Sequence, residues 1–329
     1  MKHLFQVLRK NLIQMGQQNN NKITDPILRA LTYSDIFDYP LTLNQIVKYQ
    51  IGAKYSYKKI SDQLMKLVRD GMIVEKSNLF FLNGREKNLH IYKNRKKESI
   101  KKWDKAREAV RLLKFIPTLK FIGVSGSLSM NNAGKHDDID LFFITAENTL
   151  WMSRALVCLI LFLKGIKRNK SETIGIDKIC PNMFLSESNL AIERNIFTAH
   201  EIAQLAPVLN RNLTYEKFLN ENRWVKDLLP NAFDIRFKTK DKRENLVISN
   251  CLGFIDRIFF VIQYLYMRRH ITIEKISQNS AKFHPKDKTK FVTDLYKKRY
   301  KTYKKRFEEK SFPQPQNEFW LGTIVTPGY

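Results

Sequence analysis

Cysteine is scarce in this 329-residue chain. Cys158, Cys180 and Cys251 are far apart, odd in number and set among apolar neighbours. With no CxxC and no Cys/His pair at metal-ligand spacing, a disulfide framework and a structural zinc site are both disfavoured, and a reducing, cytoplasmic compartment is expected. HExxH is missing too: His200-Glu201 has no second His at the required offset and reads as a helix-surface pair. Long uninterrupted apolar runs are absent. Leu150–Ile166 is broken by Arg154 and Lys164, and Leu246–Met267 carries Asn250, Asp256 and Arg257 near its middle. Both read as buried helices without stable membrane insertion, peripheral association of the second being left open. The first 22 residues have no long apolar region or small-residue cleavage site, so no signal peptide is expected. Acids are in short supply, 32 Asp and Glu against 58 Lys and Arg.

The resulting charge of +26 favours polyanionic partners, nucleic acid or an anionic membrane surface. A coding bias toward Lys, Asn and Ile accounts for it equally well. Hydrophobic content of 43% fits a globular protein, and the length allows two or three domains. The chain shows no internal repeat.

Residues 1–22 form a polar lead-in. From 23 to 92 the pattern is helix, helix, helix, hairpin. Thr24-Asp25-Pro26 supplies a helix start, Thr42 caps a second helix, and Ser56 opens a third in which Ile60, Leu64, Leu67 and Val68 recur at helical spacing until Gly71. Short strands follow at Met72–Val74 and Leu79–Leu82. This order, carried by LMKLVRDGMIVEKSNLFFL, resembles a winged helix-turn-helix. The resemblance implies either DNA contact through Lys58, Lys59, Lys66 and Arg69 on the third helix, or a protein-contact role. Residues 93–118 are a basic connecting helix whose lysines, Lys102 among them, are expected on a solvated face. Residues 201–329 read as mainly helical, with an extended tail. Within them YKKRYKTYKKRF interleaves basic and aromatic residues, a pattern that suits single-stranded nucleic acid or a solvated amphipathic helix.

The chemistry concentrates in VSGSLSMNNAGKHDDIDLFFIT, Val124 to Thr145. Three acids, Asp137, Asp138 and Asp140, crowd together in an otherwise basic chain, and their repulsion costs stability unless a cation or a network compensates. After an apolar strand, Ser125-Gly126-Ser127 allows a tight turn and close backbone approach to a ligand. Asp138 and Asp140, two apart on a strand, project to one side, an arrangement suited to hard divalent cations. Pairing with the abundant Lys and Arg is the structural alternative.

A Gly-Ser turn, a gap of ten and an acidic D-I-D strand are similar to the signature of the DNA polymerase beta-type nucleotidyltransferase superfamily, over about residues 119–185. The whole chain also looks like a microbial group in which a winged helix precedes this domain. The resemblance implies an α/β (α+β) fold: a small mixed-sheet domain at 119–200, between the winged helix and the helical region. It implies Mg²⁺-dependent transfer of a nucleoside monophosphate from an NTP to an acceptor. Asp138 and Asp140 would hold metal, and Gly126, Ser127 and Ser125 would hold the triphosphate. The family's third carboxylate belongs on the strand Lys178–Leu185. Its central polar residue here is Asn182, so Asp177 at the strand entrance is the candidate, ahead of Glu187. A non-catalytic nucleic-acid-binding regulator with a degenerate domain is the competing class.

Overall fold

In the computed structural model, residues 22–168, 175–233, 246–268, 275–282 and 288–311 are described. The expected lead-in at 1–21 and the tail at 312–329 lie outside them. Helix α1 (22–35) is already under way upstream of Thr24, so Pro26 does not mark its first turn. Helix α2 (Leu43–Lys48) begins in a capping box between Thr42 and Gln45, and α3 (Tyr57–Arg69) begins where the Ser56 hydroxyl accepts from Lys59 N–H. Gly71, at φ +65°, closes α3 and admits β1 (Ile73–Lys76), which pairs antiparallel with β2 (Leu79–Leu82). Ile27, Leu31, Ile46, Ile60, Leu64 and Phe80 close this unit's core.

Helix α4 (Lys87–Leu113) leads into β3 (Leu119–Val124), the single-turn α5 (Gly126–Ser129) and β4 (Ile139–Thr145). Helix α6 (Leu150–Leu163) is the crossover to β5 (Ile179–Ser186), which runs parallel to β4. Then come α7 (Ile196–Gln204), β6 (Ala206–Asn210), α8 (Thr214–Glu221), α9 (Val225–Leu228), α10 (Leu246–Met267), β7 (Lys275–Ser277), β8 (Ser280–Lys282) and α11 (Lys288–Ser311). The six-stranded sheet has the order β6-β3-β4-β5-β8-β7, with every pair except β4–β5 antiparallel. Half of it therefore comes from the region expected to be helical. Strands β6, β7 and β8 have three to five residues each, and Pro207 interrupts the first, so none shows a readable alternation.

Alternation along β4 assigns the two faces. Ile139, Leu141 and Phe143 pack with residues of α4, α6 and α10, while Phe142 and Ile144 pack with residues of α7, α8 and α11. On α11, Tyr296 and Phe307 are buried, and Tyr300 and Tyr303 pack beside the N-terminal core. The aromatic positions of YKKRYKTYKKRF thus form a structural seam, while its six basic residues other than Arg299 face solvent. Helix α4 departs from expectation at Lys102, which is fully buried and donates to Asp177 Oδ1 at 2.6 Å and to the Asp137 carbonyl at 2.6 Å.

Asp35, only 4% exposed, ties α1 to α4 and α11. It accepts from Arg85 at 2.5 Å, Arg299 at 2.6 Å and Asn88 at 3.2 Å. Removing this acid leaves two guanidinium groups without their buried partner. Asp35→Ala is therefore expected to cost about 3–5 kcal/mol of unfolding free energy, measured by urea denaturation. A cost below about 1 kcal/mol would show that the network is not structural.

Candidate functional site

The turn after β3 is built around one close approach. Gly126 has φ +63°, and a Cβ placed there would lie 2.7 Å from Asp140 Oδ2. The Ser125 N–H donates to the Asp140 carbonyl at 3.0 Å, continuing the β3–β4 pairing up to the turn. Only glycine tolerates both the backbone conformation and the contact. Below the turn, Asp137 braces the loop: its Oδ2 accepts from Gly134 N–H at 2.8 Å and from the Ser127 hydroxyl at 3.2 Å. Ser127 is thus turned toward Asp137 in this state.

Asp138 immediately precedes β4, and Asp140 is its second residue. Asp140 has the parity of Phe142 and Ile144, so it lies on the α7/α11 side of the sheet. The Asp138 and Asp140 carboxylates and the Cys180 thiol converge, each offering a ligand atom within 4.8 Å of the others. Burial first, and then the Asp138 charge, push the Asp140 carboxyl up to about 7. Burial and the two carboxylates push the Cys180 thiol up as well, keeping it a neutral donor. Asp138 is paired with Arg168, whereas Asp140 makes no ion pair among the described residues.

On β5 the register explains why Cys180 and Asn182 both reach this region. Asp140 aligns with Cys180 and Leu141 with Pro181, but Phe142 aligns with Met183. Asn182 is the extra residue of a bulge beside a proline that has no N–H to give the ladder. Its amide is 4% exposed, makes no hydrogen bond among the described residues, and lines two adjoining cavities. One, of about 260 Å³, runs between α1, the residues flanking α2, and α7, and holds Gly126, Ser127, Asp138 and Asp140. The other, of about 710 Å³, is walled by Phe142, Met183, Phe197 and Phe218 with Lys282, Lys288 and Lys290 at its edge.

Glu201 belongs to both cavities, which corrects its reading as a helix-surface residue. Burial raises its carboxyl, while Lys288 and the Gly126 N–H directed at it partly offset the rise. No spacing in the sequence signalled it, because α7 reaches the turn only through the tertiary fold. His200 is also internal, 2% exposed and stacked on Tyr33 with ring centroids 3.6 Å apart. Burial lowers it to about 3, so it stays neutral.

The acid chosen at the β5 entrance is held elsewhere. Asp177 binds Lys102 at 2.6 Å and Lys105 at 2.7 Å and lies outside the Asp138, Asp140 and Cys180 group. Burial would raise its carboxyl, but hydrogen bonds from the two lysines hold it low. Its role is to neutralise buried Lys102. Glu187 likewise turns to Thr214, whose hydroxyl donates to it at 3.0 Å.

The donor chemistry fits a hard divalent cation. Two carboxylates share the repulsion a cation would remove, and an unpartnered Asn182 amide and the Glu201 carboxylate line the same cavity. Cys180, the soft member, serves the carboxylates as a hydrogen-bond donor. No family model matches the chain, and neither the curated proteins nor the solved structures contain a match to it.

Asp140 supplies a pH test. Its folded-state carboxyl titrates above its ordinary value, so the folded protein holds this proton more tightly than the unfolded chain does. That stabilisation is complete below about pH 4 and is lost as pH rises through about 7. Asp140→Asn is expected to be more stable than the parent by about 2–4 kcal/mol at pH 8 without metal, with the gain vanishing toward pH 4. Millimolar MgCl₂ should raise the melting temperature of the parent and leave the variant unmoved. Equal responses in the two proteins would remove the cation from this site. Gly126→Ala should cost about 1–3 kcal/mol, read by thermal denaturation.

Proposed function

We propose that this chain is a Mg²⁺-dependent nucleotidyltransferase, moving a nucleoside monophosphate from an NTP to an acceptor hydroxyl with release of pyrophosphate. The observation that carries the reading is the convergence of Asp138 and Asp140 beneath the Gly126 turn, in a cavity that a cation and phosphates can enter. When bound, the metal supplies charge neutralisation for the triphosphate and polarises the reacting phosphoryl group. Asp138 and Asp140 hold it, and Gly126 leaves space beside them.

The remaining residues divide the work by position. Lys288 and Lys282, at the cavity edge, attract the triphosphate. The apolar wall of Phe142, Phe197 and Phe218 offers a face for the base. Glu201, with its carboxyl raised by burial, is the acid placed to take a proton from the acceptor hydroxyl, a role Asp177 is too firmly paired to fill. The N-terminal unit closes one side of the smaller cavity with Tyr33, Phe37 and Tyr49. In this reading it is a winged helix, and Lys58, Lys59, Lys66 and Arg69, all exposed on α3, meet nucleic acid phosphates.

One observation favours a second reading. Arg168 already occupies Asp138, and β5 offers Cys180 and Asn182 where an acid would complete the site. A nucleic-acid-binding regulator that has lost turnover would carry such substitutions. Incubation with labelled NTPs, Mg²⁺ and cell extract separates the two. The enzyme reading expects label transfer that falls at least about 100-fold in Asp138→Ala and in Asp140→Ala, and about 100-fold or more in Glu201→Gln. It expects Asp177→Asn to retain transfer. Absence of transfer, with duplex binding unaffected by the same substitutions and weakening steeply with salt, overturns it in favour of the regulator.

A further inference from the structure

The sheet face opposite the cavities carries a surface that the proposed chemistry does not use. Helices α6 and α10 pack together there: Gln263 Nε2 donates to the Trp151 carbonyl at 2.7 Å, and Met152 N–H donates to Asp256 Oδ1 at 2.8 Å. These contacts use one side of α10. The other side is apolar and open, against the expectation that both helices are buried. Leu159, Phe162 and Leu163 on α6, with Phe254, Ile262 and Tyr266 on α10, are each between 52% and 77% exposed. With their partly exposed neighbours they leave on the order of 1,000 Å² of apolar surface, beyond the roughly 300–600 Å² of a typical monomer's largest patch.

We infer that this face docks on an anionic lipid bilayer, lying in the headgroup region without crossing it. Charge selects the occupant. Neither exposed side carries an acid: α6 contains none, and the single acid of α10, Asp256, is buried against α6 and Gln278. Among the described residues, the exposed charges on the two helices and at their C-terminal ends are cationic, namely Lys164, Arg257 and Arg268, and the exposed acid Glu147 lies before the start of α6. An apolar stripe edged by cations, with Tyr264 and Tyr266 among its exposed residues, is the composition of an interfacial helix. A two-fold dimer through the same patch would set these cations against their own copies, in a chain already at +26, and neither helix offers an exposed acid to pair them. Among the described residues no helix is long and apolar enough to cross a membrane. Attachment by this face leaves both cavities directed away from the lipid, because Asp140 and the α6/α10 layer lie on opposite sides of β4.

The test is flotation of the full chain with vesicles of phosphatidylglycerol and phosphatidylcholine. Binding is expected to the mixed vesicles and not to phosphatidylcholine alone. Phe254→Glu/Ile262→Glu should lower partitioning about tenfold or more, since it places two charges at the lipid boundary. A variant matched in net charge change, Lys58→Gln/Lys66→Gln on α3, also removes two units of positive charge and should lose far less. Because every substituted residue is exposed, circular dichroism melts should coincide. A separate readout is Ile262→Trp, whose added fluorescence should shift to the blue on vesicle addition and be quenched by brominated lipid. Equal losses in the two double variants, or no quenching, would overturn the proposal. So would a dimer by light scattering that the α10 variant dissociates while vesicle binding is absent.

Discussion

A glycine without a side chain lets the β4 acid sit directly beneath the β3 turn, and the site depends on that contact. Any Cβ at Gly126 meets the Asp140 carboxylate at 2.7 Å, and the backbone there is left-handed. The approach has an electrostatic consequence. Asp140 is crowded from above by backbone and retains only part of its exposure, so its charge is costly, and Asp138 beside it makes the cost larger. Glu201 is drawn to the same glycine by its N–H. Three carboxylates thus converge on one short stretch of backbone, with Arg168 and Lys288 as the cations that answer them.

The local half of this arrangement was legible in the sequence. Period-two alternation in DIDLFFI places Asp140 with Phe142 and Ile144, and Ser-Gly-Ser after an apolar strand marks the turn. Thr42, Ser56 and Gly71 likewise announced their helix ends correctly, because capping is decided within four residues. What could not be read depends on contacts distant along the chain. Glu201 enters the site because α7 packs beside α5, some 75 residues after the turn. Lys102 looked like one more solvated lysine of a basic helix, yet its burial requires an acid, and Asp177 is that acid. The residue that best suited a third catalytic position by sequence order was thereby committed to structure.

The same reasoning explains where the sheet was underestimated. Strands β6, β7 and β8 carry little pattern of their own and form by pairing with β3 and β5, whose edges would otherwise expose unpaired backbone. Their addition makes the region beyond residue 200 part of the sheet rather than a separate cap. Helix α11 completes the connection. Val292 and Tyr296 pack in the core beneath the sheet, and Phe307 reaches the N-terminal core. A helix whose composition suited either nucleic acid or a solvated amphipathic face is, on its aromatic side, the clasp between two parts of the molecule.

Charge supply gives the strongest reason to regard the acidic group as more than packing. The chain has 58 basic side chains for 32 acids, so a buried acid need not lack a partner. Asp35 takes two arginines, and Asp177 takes two lysines at 2.6 and 2.7 Å. Asp140, partly buried and beside another carboxylate, takes none among the described residues, and the lysine acting on it, Lys288, stands exposed at the rim of both cavities. A fold selected only for stability would replace Asp140 by Asn, which keeps the shape and discards the repulsion. Retaining the charge in a chain so rich in cations has a physical rationale if a cation from solution is meant to meet it.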